Sequence, residues 1–329
     1  MSDCVLALQL SLGASMTLIT WFTAKIVTFG SAALELTVTS VACVALIAVL
    51  EIWQLGYRNS SIRAITSGDA SARRDLLSFV LDVTGILRIL GHLVTLGIGF
   101  AIGNVVRVYL NINVTGLVAN PILQVSLFLF LKSFSDYWMH RWMHLSPVLW
   151  EIHKYHHSAA DMNIVTAHRE SILVTPFVSI FVALPLGIIG TPVQTFVVLA
   201  VLMEFHALLI HSRLPLSFGW FDRLLISPRA HRLHHALGLS KGTQNFGFTT
   251  SIWDHVFGTY ASAPEEHFTV GLEGDIYNHV SWPREMLHSM VAIKRAAWRS
   301  MGWHSDTEPT ATMPAQTDTP RSLAAPERT

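Results

Sequence analysis

Eleven of the 17 histidines in this 329-residue chain fall between His140 and His235, and their spacing constrains the fold more than any other feature. His140 and His144 form an H-x3-H pair. His153, His156 and His157 form an H-x2-H-H triplet, and His231, His234 and His235 repeat it 78 residues later. On a helix, residues three and four apart share a face. Each cluster therefore presents its imidazoles together. Burying eight such rings side by side strands polar nitrogens or accumulates positive charge. A metal ion removes both problems. It takes the lone pair of each neutral ring, while the second nitrogen donates to a neighbouring acceptor. His211 closes an apolar stretch and is a ninth candidate ligand. His206, five residues earlier and about 140° away on a regular helix, is an additional candidate. His92, His168, His255, His267, His279, His288 and His304 belong to no cluster and read as structural.

Eight or nine ligands exceed one ion, since zinc sites use four. Two ions are expected. Imidazole suits zinc, copper, iron and nickel, so ligand type alone leaves the metal open. The H-E-x-x-H motif of zinc peptidases is absent, as are the paired E-x-x-H motifs of soluble di-iron bundles.

The rest of the composition points to lipid. Charged residues make up 13% of the chain, roughly half the usual share of about 25%. Lys+Arg and Asp+Glu balance at 22 each, which excludes a basic nucleic-acid binder. Cys4 and Cys43 are the only cysteines, so neither a disulfide framework nor a cysteine-built metal site is available. Met1-Ser2-Asp3 does not open a secretory signal. Six stretches approach the about 20 apolar residues that cross a bilayer: 4–21, 33–53, 76–102, 121–138, 172–189 and 193–210. The first could instead lie in the interface. Gly190-Thr191-Pro192 makes the last two a tight hairpin. Arg58, Arg63, Arg73 and Arg74 put connection 56–75 in the cytoplasm, whereas connection 103–120 holds only Arg107. The region after His211, with Arg213, Arg223, Arg229, Arg232 and Lys241, is cytoplasmic as well. All three clusters then reach one membrane face. Lys132, Asp136 and Arg88 are expected to pair between helices at membrane depth. Trp138, Trp142, Trp150 and Tyr155 flank the clusters as interfacial anchors.

The clusters also carry a resemblance. Asp136-Tyr-Trp-Met-His140-Arg-Trp-Met-His144 looks like the first histidine box of the fatty acid hydroxylase superfamily, which includes sterol desaturases, lipid hydroxylases and alkylglycerol monooxygenase. His153-Lys-Tyr-His156-His157-Ser158 is similar to its second box, and Ser227-Pro-Arg-Ala-His231-Arg-Leu-His234-His235 to its third. Asn245-Phe246-Gly247, followed by Trp253-Asp254-His255-Val256-Phe257-Gly258-Thr259-Tyr260, resembles its closing signature. His211-Ser212 sits where that family has a histidine after a membrane hairpin. The resemblance spans roughly residues 120–275. It implies a di-iron, dioxygen-dependent enzyme that hydroxylates or desaturates a lipid at an unactivated C–H bond. Its implied ligands are His140, His144, His153, His156, His157, His211, His231, His234 and His235. No haem- or flavin-binding domain is evident, so electrons come from a separate cytochrome b5-like or ferredoxin-like donor. Arg169 fits the family pattern after Asn163, but the residues after it depart from it. Asp136, Asn245 and Asp254 are candidates to accept N–H groups from the ligating rings.

The expected fold is an all-α integral membrane protein with about four to six spans and a cytoplasmic, histidine-rich helical cap. Its expected parts are N-terminal transmembrane helices (1–120), a catalytic domain (121–275), an amphipathic or helical segment (276–303) and a disordered tail (304–329). The rival functions are a membrane zinc hydrolase with the same ligands, and a metal transporter or sensor. Transport is disfavoured because the histidines gather at one face instead of lining a path.

Overall fold

The computed structural model describes residues 34–94, 120–174, 193–238, 244–262 and 269–301, with isolated positions between them. Everything regular among these residues is helical, apart from one isolated bridge between Ala236 and Val270. The expected spans 4–21 and most of 172–189 lie outside the described residues, as does the tail beyond Met301.

Among the described residues one helix, α1 (Leu34–Leu55), has the length and hydropathy to cross a membrane, with a mean hydropathy of 2.1. One face packs Cys43, Ile47 and Ala48 against Ile164, Leu208 and Leu214. The other turns Leu34, Val38, Val41, Leu46, Val49 and Trp53 outward. Two acidic residues interrupt its sequence, and Glu51 has a structural reason. It is fully buried and accepts from Ser61 N at 2.5 Å, Ser61 Oγ at 2.9 Å and Arg213 N at 2.6 Å. That carboxylate bolts α1 to α2 (Ser61–Ser67) and to the chain leaving the histidine at 211.

The described part of the apolar run 76–102 is not one continuous helix. It is divided into α3 (Ala70–Val83) and α4 (Ile86–Val94) at Gly85, whose φ of 77° is left-handed. Polar bonds hold α3 to the cap. Asp75 accepts from Arg169 Nη1 at 2.8 Å, Asn163 Nδ2 at 2.7 Å and Thr166 Oγ1 at 2.9 Å, and Ser78 pairs with the Tyr155 hydroxyl at 3.0 Å.

α5 (Pro121–Leu145) has 25 residues, about 37 Å at 1.5 Å per residue. Asn120 caps it, accepting from Ile122 N at 2.9 Å. Lys132 pairs with Asp136 one turn along this same helix, at 2.5 Å, not with a neighbouring helix as the sequence suggested. α6 (Pro147–His157) follows after a single residue. α7 (Val193–His211) returns to the cap. α8 (Pro228–His234), α9 (Ile252–Val256) and α10 (Trp282–Ser300) complete it, with α10 packed along α6.

Candidate metal centre

The abrupt turn between α5 and α6 sets up the site. Ser146 ends α5, and its hydroxyl accepts from Leu149 N at 3.3 Å to start α6, with Pro147 in the first helical position. The C-terminal turns of α5, bearing His140 and His144, are thereby brought against His153, His156 and His157 at the end of α6. α8 begins by the same device, with Ser227 as cap and Pro228 next. His231 and His234 lie on α8, His235 caps its C-terminus, and His211 is the last residue of α7.

All nine imidazoles are buried and fall into two groups: His140, His144, His153, His157 and His234, and then His156, His211, His231 and His235. Within each group the ligand atoms lie within 4.8 Å of one another. The groups adjoin, because His157 and His235 stack with ring centroids 4.3 Å apart. His206 joins neither; its Nε2 faces the Ile226 carbonyl at 3.0 Å.

The crowded atoms are the Nε2 nitrogens. His140 stands 3.0 Å from His153 and 3.2 Å from His144, and His153 stands 3.3 Å from His157. In the second group His211 is 3.3 Å from His156 and 3.0 Å from His231, which is 3.2 Å from His235. Backbone carbonyls fix four of the tautomers. Nδ1 of His140 donates to Phe246 O at 2.8 Å, His234 to Gln244 O at 2.9 Å, His156 to Arg169 O at 3.3 Å and His211 to Ala207 O at 2.7 Å. With the ring proton on Nδ1, each of these Nε2 atoms presents a lone pair, and lone pairs facing each other repel. Metal–nitrogen bonds of about 2.0–2.1 Å place neighbouring ligands about 2.9–3.4 Å apart in octahedral or tetrahedral arrangements. The observed spacing fits that range, and the buried Nε2 of His234 has no hydrogen-bond partner among the described residues. This donor set fits two metal ions. Burial, then the neighbouring imidazoles, push His153, His156, His157, His231 and His235 well below the usual histidine value. Burial pushes His234 down to about 4. The rings stay neutral, as metal ligation requires.

Asp136, Asn245 and Asp254, and with them Arg169, act on the rings less directly than the sequence suggested. Asp136 is held by Lys132. Asp254 accepts from Phe246 N and Gly247 N, each at 2.8 Å, and from Thr259 Oγ1 at 2.7 Å. It holds the loop whose Phe246 carbonyl receives His140. Asn245, in a left-handed conformation with φ 55°, donates through Nδ2 to Ala230 O and Ala261 O, each at 2.9 Å. It thereby ties the first turn of α8 to the closing loop. Arg169 reaches His156 through its carbonyl, while its buried guanidinium binds Asp75, Ser158, the Tyr155 carbonyl and Asn278.

Sequence reasoning missed the carbonyls of Phe246, Gln244 and Ala207, because a backbone acceptor has no residue-type signature. It also passed over Glu170, whose Oε1 lies 3.7 Å from His156 Nδ1, and whose carboxyl is pushed up to about 8 by burial and by Asp82. His168 stands apart from both groups. Its Nδ1 meets Asp82 at 2.7 Å and its Nε2 meets Glu204 at 3.0 Å.

Comparison with known proteins agrees with the motifs. The family model described as fatty acid hydroxylase matches residues 125–259. The ornithine lipid hydroxylase OlsE of Rhizobium tropici is 31% identical over 154 residues, covering 46% of each chain. The alkylglycerol monooxygenase of Homo sapiens is 31% identical over 173 residues, 52% of this chain and 37% of the relative. Methylsterol monooxygenase 1-3 of Arabidopsis thaliana is 29% identical over 143 residues, 41% of this chain and 47% of the relative. The matched region thus spans less than half the length of each of these relatives. No solved structure matches. The matched span contains all three histidine clusters, His211 and the closing loop, so the likeness to the fatty acid hydroxylase model falls on the residues that build the two imidazole groups.

Proposed function

We propose that this chain is a multi-pass membrane monooxygenase that uses two irons and dioxygen to hydroxylate a lipid at an unactivated C–H bond. The observation that carries the reading is the pair of adjoining imidazole groups with Nε2 atoms 3.0–3.3 Å apart. His140, His144, His153, His157 and His234 would hold one iron, and His156, His211, His231 and His235 the other. The irons, when bound, supply the binding and activation of dioxygen. The balance is R–H + O2 + 2e⁻ + 2H⁺ → R–OH + H2O, with the electrons delivered by a separate cytochrome b5-like or ferredoxin-like protein.

The chain's own residues fix ring orientation and exclude water. The Phe246, Gln244, Arg169 and Ala207 carbonyls hold four rings in one tautomer. Met139, Met143, Trp150 and Phe246 bury the surroundings. α5 carries exposed apolar residues, Ile122, Leu123, Phe130 and Phe134, along the stretch that leads to His140, a surface on which a lipid could lie. The arginine-rich connections put the site at the cytoplasmic face. The relatives' names favour hydroxylation over desaturation, and over a zinc hydrolase or a transporter.

The test is lipid mass spectrometry of cells with and without the gene under ¹⁸O2, together with metal analysis of the purified chain. Expected is one lipid class gaining a single ¹⁸O atom and two irons per chain. A lipidome unchanged by the gene in iron-replete, aerated cells would overturn the reading.

A further inference from the structure

A cleft of about 550 Å³ lies beside α8, lined in part by Asp222, Arg223, Ser227, Arg229, His255 and Tyr260. Ala230, the residue before His231, also lines it. The cleft's acid is already engaged: Asp222 accepts from Ser217 Oγ at 2.5 Å and from Phe218 N at 2.8 Å. Among the described lining residues Arg223 and Arg229 outnumber it, so their net charge is positive. Tyr260 stacks on His255 with centroids 4.1 Å apart and forms one wall.

The rim is of opposite character. Trp220 and Phe221 are 63% and 57% exposed, and Leu224 and Leu225 follow them at the surface. Ile252 and Val256 on α9, and Phe257 at its end, are exposed too. The two segments form one surface. Ser251 Oγ donates to Asp222 O at 2.5 Å, Ser251 N donates to Leu224 O at 3.3 Å, and Thr250 Oγ1 bonds to the same carbonyl. α9 is in turn seated on α5. The Trp253 ring lies 4.9 Å from Phe130 and 4.8 Å from Phe134, its Nε1 donates to Ser133 Oγ at 3.0 Å, and Phe257 stacks on Tyr137 at 5.3 Å. Phe130 and Phe134 are themselves exposed on α5, which holds the apolar stretch 121–138 expected from the sequence to cross the bilayer. The apolar rim is thus continuous with a lipid-facing surface. Contiguous exposed aromatic and aliphatic side chains mark a contact surface, and their place beside the expected span 121–138 favours lipid as what covers them. At that depth the arginine-lined cleft opens among headgroups, where guanidinium matches phosphate or carboxylate.

We infer that this cleft seats the anionic headgroup, phosphate or carboxylate, of a bilayer lipid whose chains lie along Trp220–Leu225 and Ile252–Phe257. The inference rests on the membrane reading above and not on turnover.

The test is native mass spectrometry of the full chain released from mixed micelles of phosphatidylglycerol and phosphatidylcholine. Wild type retains one phosphatidylglycerol in preference to phosphatidylcholine, by about tenfold, the scale of 1.4 kcal/mol. Arg223→Gln, at an exposed position, loses most of that preference and Arg223→Glu all of it, with bound metal unchanged. Arg284→Gln, on the remote α10, keeps it. Equal retention of the two lipids by wild type overturns the inference. So does full preference in Arg223→Glu, or displacement of phosphatidylglycerol by millimolar inorganic phosphate, which would make the site one for a free anion. Because no product is read, a chain that binds the anionic lipid but oxidises nothing sinks only the proposed reaction. A chain that oxidises lipid without the preference sinks only this site.

Discussion

Replacing His168 with glutamine tests whether a buried charge holds the cap together. His168 sits at the end of the 3-10 turn Ile164–His168, with Asp82 of α3 on one ring nitrogen and Glu204 of α7 on the other. Burial alone would lower its pKa. The two carboxylates outweigh burial and push it up to about 9, from an ordinary 6.5. The folded chain therefore holds a proton that the unfolded chain releases above 6.5. Stability from this proton is fully present below pH 6.5 and is lost as pH rises through about 9. At 1.36 kcal/mol per pH unit, the difference between 6.5 and 9 is worth about 3 kcal/mol. The glutamine amide cannot take up the proton. The gap in thermal midpoint between wild type and His168→Gln should therefore be widest at about pH 6 and close towards about pH 9.5, by roughly 6 °C at about 2 °C per kcal/mol. The assay is thermal unfolding of both full-length proteins in one detergent across that range. Glu285, with its carboxyl raised to about 7, also loses stability as pH rises, but does so in both proteins. Glu170, raised to about 8 by burial and Asp82 and held down in part by His168, rises further in the variant and works against the closing of the gap at high pH. The informative quantity is the gap. A gap of constant size, or one that widens with pH, would falsify the charged clamp and leave His168 an ordinary packed ring.

Four further outcomes follow from the site. His234→Ala should cost at least one of two bound metal ions and abolish turnover, whereas His206→Ala should keep both ions, as read by elemental analysis. Asp254→Asn places an amide against the N–H groups of Phe246 and Gly247; metal affinity should fall by about 10- to 100-fold, measured by competition with a chelator. Gly247→Ala drives a Cβ into the Thr250 carbonyl oxygen, so little folded protein should survive detergent extraction, and a normal yield would contradict the loop geometry. Arg169→Met leaves Asp75 buried without its cation and should destabilise the chain by about 3–5 kcal/mol, seen as a lowered thermal midpoint even with metal bound.

The parts of this protein that were legible in its sequence share one property: their signal is local. H-x3-H and H-x2-H-H state both a helix face and a chemistry within five residues, so the clusters could be placed on helix ends before any coordinates. Ser146-Pro147 and Ser227-Pro228, caps each followed by a first-turn proline, carry an equally local signal that the sequence reading did not use. What stayed hidden depends on partners far apart in the chain. Asp75 and Arg169 are 94 residues apart, and Glu51 and Arg213 are 162 apart. An acid inside an apolar run reads as a misfit until its distant donor is known. The same limit applies to the run 76–102. Its hydropathy suggested one span, but Asp75 and Ser78 at its start bond into the cap, and a left-handed glycine ends the helix that carries them. It explains Asp136 and Asp254 as well. Their spacing from the histidine boxes suggested direct contact with ligating rings, yet Lys132 occupies one and the Phe246–Gly247 backbone the other. In this fold four of the nine imidazoles give their Nδ1 proton to a main-chain carbonyl, those of Phe246, Gln244, Arg169 and Ala207, so the side chains that hold those carbonyls in place matter around the metals.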